Sequence, residues 1–374
     1  MSEKTTAVIN LRLKAKTLAV ISEYTMSANS INSISEFLLH AGTEYQVFDM
    51  GRRLTPLDSQ QFLDIENGSA YAPYPRQQHA WFGIVFWNKR ASNQHYIWFI
   101  KLPLDEQGLV VSATRNHFLE IIVDALGQSV ADDSEKAQTL PDNPYSFVPG
   151  QSLLAQFNAF VKHKLKQPLS KDAQKVEAYI KAPQLVDWQQ ISMQSVADFV
   201  HGLKSHEHYD AIVSAFCTNK ALYSDVFLNT FLEMSENISL PEQIETFAIE
   251  RLQNSGDVSL SALRALSSDV FSKRINTQLV ALLRQEVSSR LDILSVIAAR
   301  HFEQMDEVLL EAFLEQAAKV DEKEGHNGAL FSGFFSDLVQ IPKLRRQVLT
   351  LLHSSTHSQS LTKAFDQLFA QARK

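Results

Sequence analysis

The stretch HAWFGIVFW, residues 79–87, decides the fold class of the first part of this chain. Apolar side chains occupy both alternating sets of positions, so a strand built from this stretch is apolar on both faces. A similar stretch, HYIWFIKL, covers residues 95–102, and the polar residues 88–94 separate the two. The pattern predicts two antiparallel strands joined by a turn, with the first strand central in its sheet and covered on both sides.

Two short helices and one more strand are predicted on the N-terminal side of these strands. Residues 33–36, SISE, have the pattern of a capping box, and Gly42 is placed to end the helix that it begins. Residues 45–48 predict a short strand, after which Gly51 is expected to supply the positive φ of a turn. The second helix is predicted over residues 59–65.

On the C-terminal side, the sequence predicts a helix and then a linker. The helix has apolar residues at helical spacing, namely Phe118, Ile121, Ile122 and Leu126. Residues 128–151 contain three prolines and few hydrophobic residues, which is typical of a linker. We therefore predict a dispensable extension over residues 1–26, an α+β domain over 27–127, the linker, and an all-α domain over 152–374.

The predicted all-α domain contains an internal similarity. Five positions recur 31 residues later and again after a further 37: Leu263, Phe271 and 281–283 correspond to Leu294, Phe302 and 312–314, and then to Phe331, Val339 and 349–351. Periods of this size are typical of stacked helical hairpins. We expect either a HEAT-like α-solenoid or an irregular helical bundle, and the sequence leaves both open.

Composition excludes several classes of protein. The chain has 374 residues, 45% of them hydrophobic, with 35 Lys and Arg against 42 Asp and Glu. Disorder is excluded by this hydrophobicity, and a net charge of −7 argues against a nucleic-acid partner. The excess of acid is confined to the part from Gln184 onward, which holds 17 basic and 24 acidic residues. No apolar run reaches the roughly 18 residues of a membrane span, so we expect a cytoplasmic protein with no membrane contact.

The sequence carries no catalytic or metal-binding signature. Cys217, the single cysteine, lies in an apolar stretch and is most simply a core residue. The pairs His201/His208 and His353/His357 share a helix face in spacing but lack further ligands. Glycine-rich phosphate loops and nucleophile elbows are also missing. We therefore predict no cofactor and no metal, and favour a protein that is not an enzyme.

Two charged clusters in the first part remain candidates for a ligand site. Asp49, Arg52 and Arg53 surround Gly51, and two guanidinium groups beside a turn could bind an anionic group. Asp105 and Glu106 follow the second strand, where loops of mixed α and β proteins often carry function. Because the two clusters are opposite in sign, the alternative is that they pair with each other.

Three motifs resemble an uncharacterised bacterial family that is mainly gammaproteobacterial. They are YQVFDMGRR at residues 45–53, HAWFGIVFW at 79–87 and WFIKLPLDEQG at 98–108. The resemblance implies a bacterial, cytoplasmic protein with no established activity, and it assigns no functional residues.

From these observations we expect a non-enzymatic interaction protein whose helical part binds another protein. The acidic excess favours a partner with a basic patch. The alternative is an enzyme or small-ligand sensor with its site at Asp49, Arg52, Arg53, Asp105 and Glu106.

Overall fold

A computed structural model describes residues 32–87, 95–131, 141–167, 172–252, 257–353 and 357–372. The predicted N-terminal extension and the turn at residues 88–94 lie outside these ranges. Two units divide the chain: the first holds the residues up to Val148 with Gln340–Pro342, and the second holds Pro149–Val339 with Lys343–Lys374.

The first unit contains a four-stranded antiparallel sheet of order β2-β1-β3-β4. Its strands are β1 (Glu44–Asp49), β2 (Thr55–Leu57), β3 (His79–Trp87) and β4 (His95–Pro103). The two aromatic strands are thus confirmed, with β4 extending one residue beyond its predicted end. In the register, Asp49 lies opposite Phe82, which in turn lies opposite Ile100.

Three helices accompany the sheet: α1 (Ile34–His40), α2 (Ser59–Glu66) and α3 (Ser112–Ala131). The Ser33 hydroxyl caps α1 by accepting from the backbone N–H of Glu36 at 3.0 Å, as predicted. The Glu36 carboxylate completes the cap one residue earlier than in a regular capping box, because it accepts from the N–H of Asn32. Gly42 has a φ of 66°, which suits the end of α1.

The central position predicted for β3 is confirmed, and one face of the strand forms the core of the first unit. Ala80, Phe82, Ile84 and Phe86 point to that core, where they meet residues of the helices such as Phe62 and Phe118. On the opposite face Val85 is buried, whereas Trp81 and Trp87 are half-buried. The Leu126 side chain lies outside the described ones.

Part of the predicted linker pairs with β4 through an isolated bridge between Ser146 and Ile100. Tyr145 O accepts from Lys101 N at 2.7 Å, and Phe147 N donates to Phe99 O at 3.1 Å. The Tyr145 ring is buried in the core of the first unit. Prolines on both sides of this segment look like a loop in sequence, and three pairing residues are too few to produce a periodic signal.

A buried carboxylate joins the two short helices. Glu66, at the end of α2, accepts from Ile34 N at 2.7 Å, Ser35 N at 3.0 Å and Ser35 Oγ at 2.5 Å. Burial raises the pKa of Glu66, and these donors and Arg115 oppose that shift. Glu66 therefore satisfies N–H groups at the start of α1 that the helix itself leaves without partners.

We expect Glu66→Gln to lower the free energy of unfolding by about 2 kcal/mol, because the new amide would set a donor against these buried donors. Urea unfolding followed by tryptophan fluorescence measures the loss. Glu36→Gln is the matched control, since Glu36 is only partly buried, and its effect should stay within about 0.5 kcal/mol. Equal effects of the two substitutions would contradict the role of Glu66.

The second unit is all α-helical in its described residues, which confirms the predicted change of fold class. Its helices are α4 (Gln151–Lys164), α5 (Ala173–Lys181), α6 (Met193–Gly202), α7 (Tyr209–Thr218), α8 (Asp225–Met234), α9 (Glu242–Leu252), α10 (Leu260–Ala265), α11 (Lys273–Leu283), α12 (Leu291–Arg300), α13 (Glu307–Glu324), α14 (Ala329–Val339), α15 (Pro342–Leu351) and α16 (Gln359–Ala372). Short 3-10 turns interrupt the connections, one of them at Phe302–Gln304.

Many helices of this unit pack on the next helix but one. Such pairs are α4 with α6, α5 with α7, α6 with α8, α7 with α9, α8 with α10, α10 with α12 and α11 with α13. The 31-residue step of the internal similarity carries α10 onto α12 and α11 onto α13. Leu263 and Leu294, which it relates, are both fully buried. The 37-residue step fits less well, because Thr350 is exposed where Leu282 is buried.

Buried polar contacts also link successive layers of helices. The carboxylate of Glu236, just after α8, contacts Arg264 of α10 at 3.2 Å and also pairs with Arg300 of α12. Only 3% of the Glu236 side chain is exposed, so its charge needs both partners. These pairs tie three layers together.

Candidate functional site

Asp49 lies at the end of β1 and is fully buried. Its Oδ1 accepts from the N–H of Gly51 at 2.8 Å, whereas the buried Oδ2 has no hydrogen-bond partner among the residues that the structure describes. Burial raises the pKa of Asp49 to about 8, against the opposing effects of the Gly51 N–H and of the Arg52 and Arg76 charges. The carboxyl group is therefore mainly protonated at pH 7.

Gly51 is required for a different reason from the one predicted. Its φ is not in the positive region, so the expected left-handed turn is wrong. Instead, a Cβ at this position would lie 1.9 Å from the backbone oxygen of Tyr74. Glycine thus allows two backbone segments to approach closely beside Asp49.

Both arginines of the predicted cluster are buried next to this turn. Arg52 is 1% exposed, and its Nε donates to Pro75 O at 2.9 Å. Arg53 is 8% exposed. The side chain of Arg52 therefore holds the segment before β3 against the turn after β1.

The second predicted cluster does not join the first. Asp105 and Glu106 are exposed, and neither forms an ion pair within the described part of the chain. Asp105 Oδ1 accepts from Gln107 N and Leu109 N, both at 2.9 Å. Asp105 thus shapes its own loop, and the alternative, in which the two clusters pair with each other, does not hold for the described residues. The register gives the reason, since Asp49 and β4 lie on opposite sides of β3.

A cation and aromatic cluster beside Asp49 was not anticipated from the sequence. The guanidinium carbon of Arg76 lies 4.2 Å from the centre of the Trp81 ring, and Lys101 Nζ lies 5.6 Å from it. Phe147 packs edge-on to Trp81, with 4.8 Å between ring centres. The pairing of Trp81 with Lys101 follows from the strand register, but Arg76 is positioned by a tight turn.

That turn, at residues 76–79, is a two-residue hairpin. Arg76 and His79 exchange both backbone hydrogen bonds, at 3.0 and 3.1 Å. The two central residues, Gln77 and Gln78, have positive φ of 51° and 59°, as a type I′ turn requires. Residues other than Gly, Asn and Asp seldom adopt such φ values. The turn propensities of these residues alone therefore do not predict this hairpin.

The remaining reactive groups give no support to catalysis. Burial raises the pKa of the Cys217 thiol, which disfavours the nucleophilic thiolate. Burial also lowers the pKa of His201 to about 4, so this imidazole stays neutral at pH 7. Within the described ranges, no three His, Cys, Asp or Glu side chains are grouped so as to hold a metal ion.

The second unit contains a polar cavity of about 190 Å³ lined by residues of α13, α14 and α16. The buried Asp321 in its wall uses both carboxylate oxygens, accepting from Gly328 N at 2.7 Å and Phe331 N at 2.9 Å. Glu322 and Lys363 pair with each other at 2.7 Å. These polar groups are satisfied by the protein itself.

In the described residues, no helix is both long and apolar enough to cross a membrane. A family described as a protein of unknown function, DUF3549, matches residues 29–369. No curated protein and no solved structure matches the chain.

Proposed function

The chain belongs to the DUF3549 family, whose function is unknown, and we propose that it is a non-enzymatic protein that binds another protein through its helical unit. The observation that carries this proposal is the packing of alternate helices in that unit. Successive layers of helices expose a long surface, and proteins with such layers mostly serve as binding platforms. We further propose a HEAT-like array, a bacterial, mainly gammaproteobacterial, origin and a cytoplasmic location.

The net charge of the helical unit favours one kind of protein partner. The part of the chain from Gln184 onward carries seven more acidic than basic residues. A partner with a basic patch would meet this surface faster and would be selected over an acidic one. Nucleic acid and anionic membranes would be repelled by the same charge.

Affinity capture by the full-length chain, from the cells that produce it, tests the proposal. We expect a protein partner with a basic surface, whose affinity falls as salt rises from 0.05 to 0.3 M because exposed charge pairs are screened. Capture of nucleic acid, with a steep dependence on salt, would contradict the proposal.

A second candidate is a small-ligand site or enzyme in the first unit. The buried Oδ2 of Asp49 favours it, because this atom has no hydrogen-bond partner in the described part of the chain and such atoms often lie at functional sites. Arg52 and Arg53 would belong to that site, whereas Asp105 and Glu106 lie apart from it. A metabolite that raises the melting temperature of the wild type but not of Asp49→Asn would support this candidate.

A further inference from the structure

The loop between α10 and α11 exposes two apolar side chains. Val270 is 66% exposed and Phe271 is 51% exposed. Within the described residues, the Phe271 ring packs against no other aromatic ring. Phe302, which the 31-residue step relates to Phe271, is only 2% exposed. One layer of the unit thus buries a phenylalanine that the neighbouring layer presents to solvent.

A buried glutamine holds this loop in place. Gln304 is fully buried, and its Nε2 donates to Val270 O at 2.7 Å while its Oε1 accepts from Ser272 N at 2.7 Å. Gln304 O also accepts from the buried Asn276 side chain at 2.9 Å. Because these bonds fix the backbone on both sides of Phe271, little conformational entropy remains to be lost when the side chain binds.

Exposed acidic side chains lie on the two segments that the Gln304 side chain joins. Asp269 precedes Val270, and Glu307 lies three residues after Gln304; both are exposed and neither forms an ion pair within the described ranges. Val308, beside Glu307, is itself 51% exposed. Two exposed bases follow Phe271: Lys273 forms no ion pair within the described residues, whereas Arg274 pairs with Glu245 at 3.4 Å. The loop therefore presents apolar groups on a fixed backbone, and the unpaired charges of these segments (Asp269, Glu307 and Lys273) are negative on balance.

We propose that Phe271 and Val270 are the anchor by which the helical unit inserts into an apolar cleft of a partner protein with a basic rim. This inference rests on the proposed function and names the surface that carries it. Aromatic side chains on a rigid backbone are the usual hot spots of interfaces. The unpaired acidic side chains favour a partner whose rim is basic, and they increase the rate of association with it.

Photocrosslinking in the producing cells tests the surface. The full-length chain carries p-benzoylphenylalanine in place of Phe271, or in place of Leu185 as a control that is 85% exposed and lies in the same unit. We expect one adduct from position 271 that position 185 does not give. Three results would overturn the proposal: the absence of an adduct at position 271, the same adducts at both positions, or an adduct with a second copy of this chain.

The crosslinked protein is then purified and titrated against full-length variants. Phe271→Ala should weaken binding on the order of tenfold or more. The double substitution Asp269→Asn/Glu307→Gln should reduce its dependence on salt, while the melting temperature of each variant stays close to that of the wild type. If the partner protects the helical unit from hydrogen exchange but binds Phe271→Ala as tightly as the wild type, this anchor is wrong and the proposed function stands. If the helical unit gains no protection, the proposed function itself fails.

Discussion

Replacing Gly51 with alanine is expected to destabilise the first unit by about 3 kcal/mol, a value at the upper end for overpacked sites. The new Cβ would lie 1.9 Å from Tyr74 O, a distance that only a shift of the backbone can relieve. Such a shift would also disturb the hydrogen bond from the Gly51 N–H to Asp49 and the one from Arg52 to Pro75 O. Urea unfolding followed by fluorescence measures the effect, because three of the four tryptophans lie in the first unit.

Gly333→Ala is the matched control. Gly333 lies inside α14, and a Cβ there would lie more than 4 Å from every described atom outside the backbone of its own helix. Alanine should therefore stabilise the helix by about 1 kcal/mol through its higher helix propensity. If Gly51→Ala is tolerated as well as Gly333→Ala, the close approach to Tyr74 does not constrain the turn.

Replacing Asp49 with asparagine should make the first unit more resistant to rising pH. The pKa of Asp49 is about 8 in the folded protein, against 3.8 for the same group in the unfolded chain. Between these values the folded state holds a proton that the unfolded state has lost, so the free energy of unfolding falls as pH rises. The fall is about 1.4 kcal/mol per pH unit, or about 4 kcal/mol between pH 5 and pH 8.

Asparagine has nearly the same shape and cannot ionise, so it removes this contribution. The stability of Asp49→Asn relative to the wild type should therefore increase by up to about 4 kcal/mol from pH 5 to pH 8. Urea unfolding of both proteins at pH 5, 6, 7 and 8 measures the difference. The contributions of the histidines to the free energy of unfolding cancel in it, because both proteins have the same histidines. A difference that is independent of pH would mean that Asp49 stays ionised in the folded protein.

The sheet could be predicted because its signal is local. Aromatic and β-branched residues on both alternating sets of positions in residues 79–87 predict a central strand, and β3 is central. Gly51 could be recognised as important, but its reason could not, because the nearby Tyr74 oxygen is 23 residues away in sequence. The pairing of Tyr145 with β4 could not be predicted for the same reason, since Lys101 is far from it along the chain.

The candidate site was predicted only in part. Asp49, Arg52 and Arg53 lie together because five residues of chain connect them. Asp105 is separated from them by the width of β3, and strand order is not visible in spacing. Gln304, which holds the loop of Phe271, is another long-range contact without a local pattern.

Hydrogen–deuterium exchange of the full-length chain, with and without its captured partner, shows directly whether the partner binds the helical unit. We expect protection within the helical unit, strongest in the peptides that contain residues 268–272 and 304–308. Protection confined to the first unit, around Asp49 and Trp81, with the helical unit unchanged, would contradict the claim that the helical unit binds the partner.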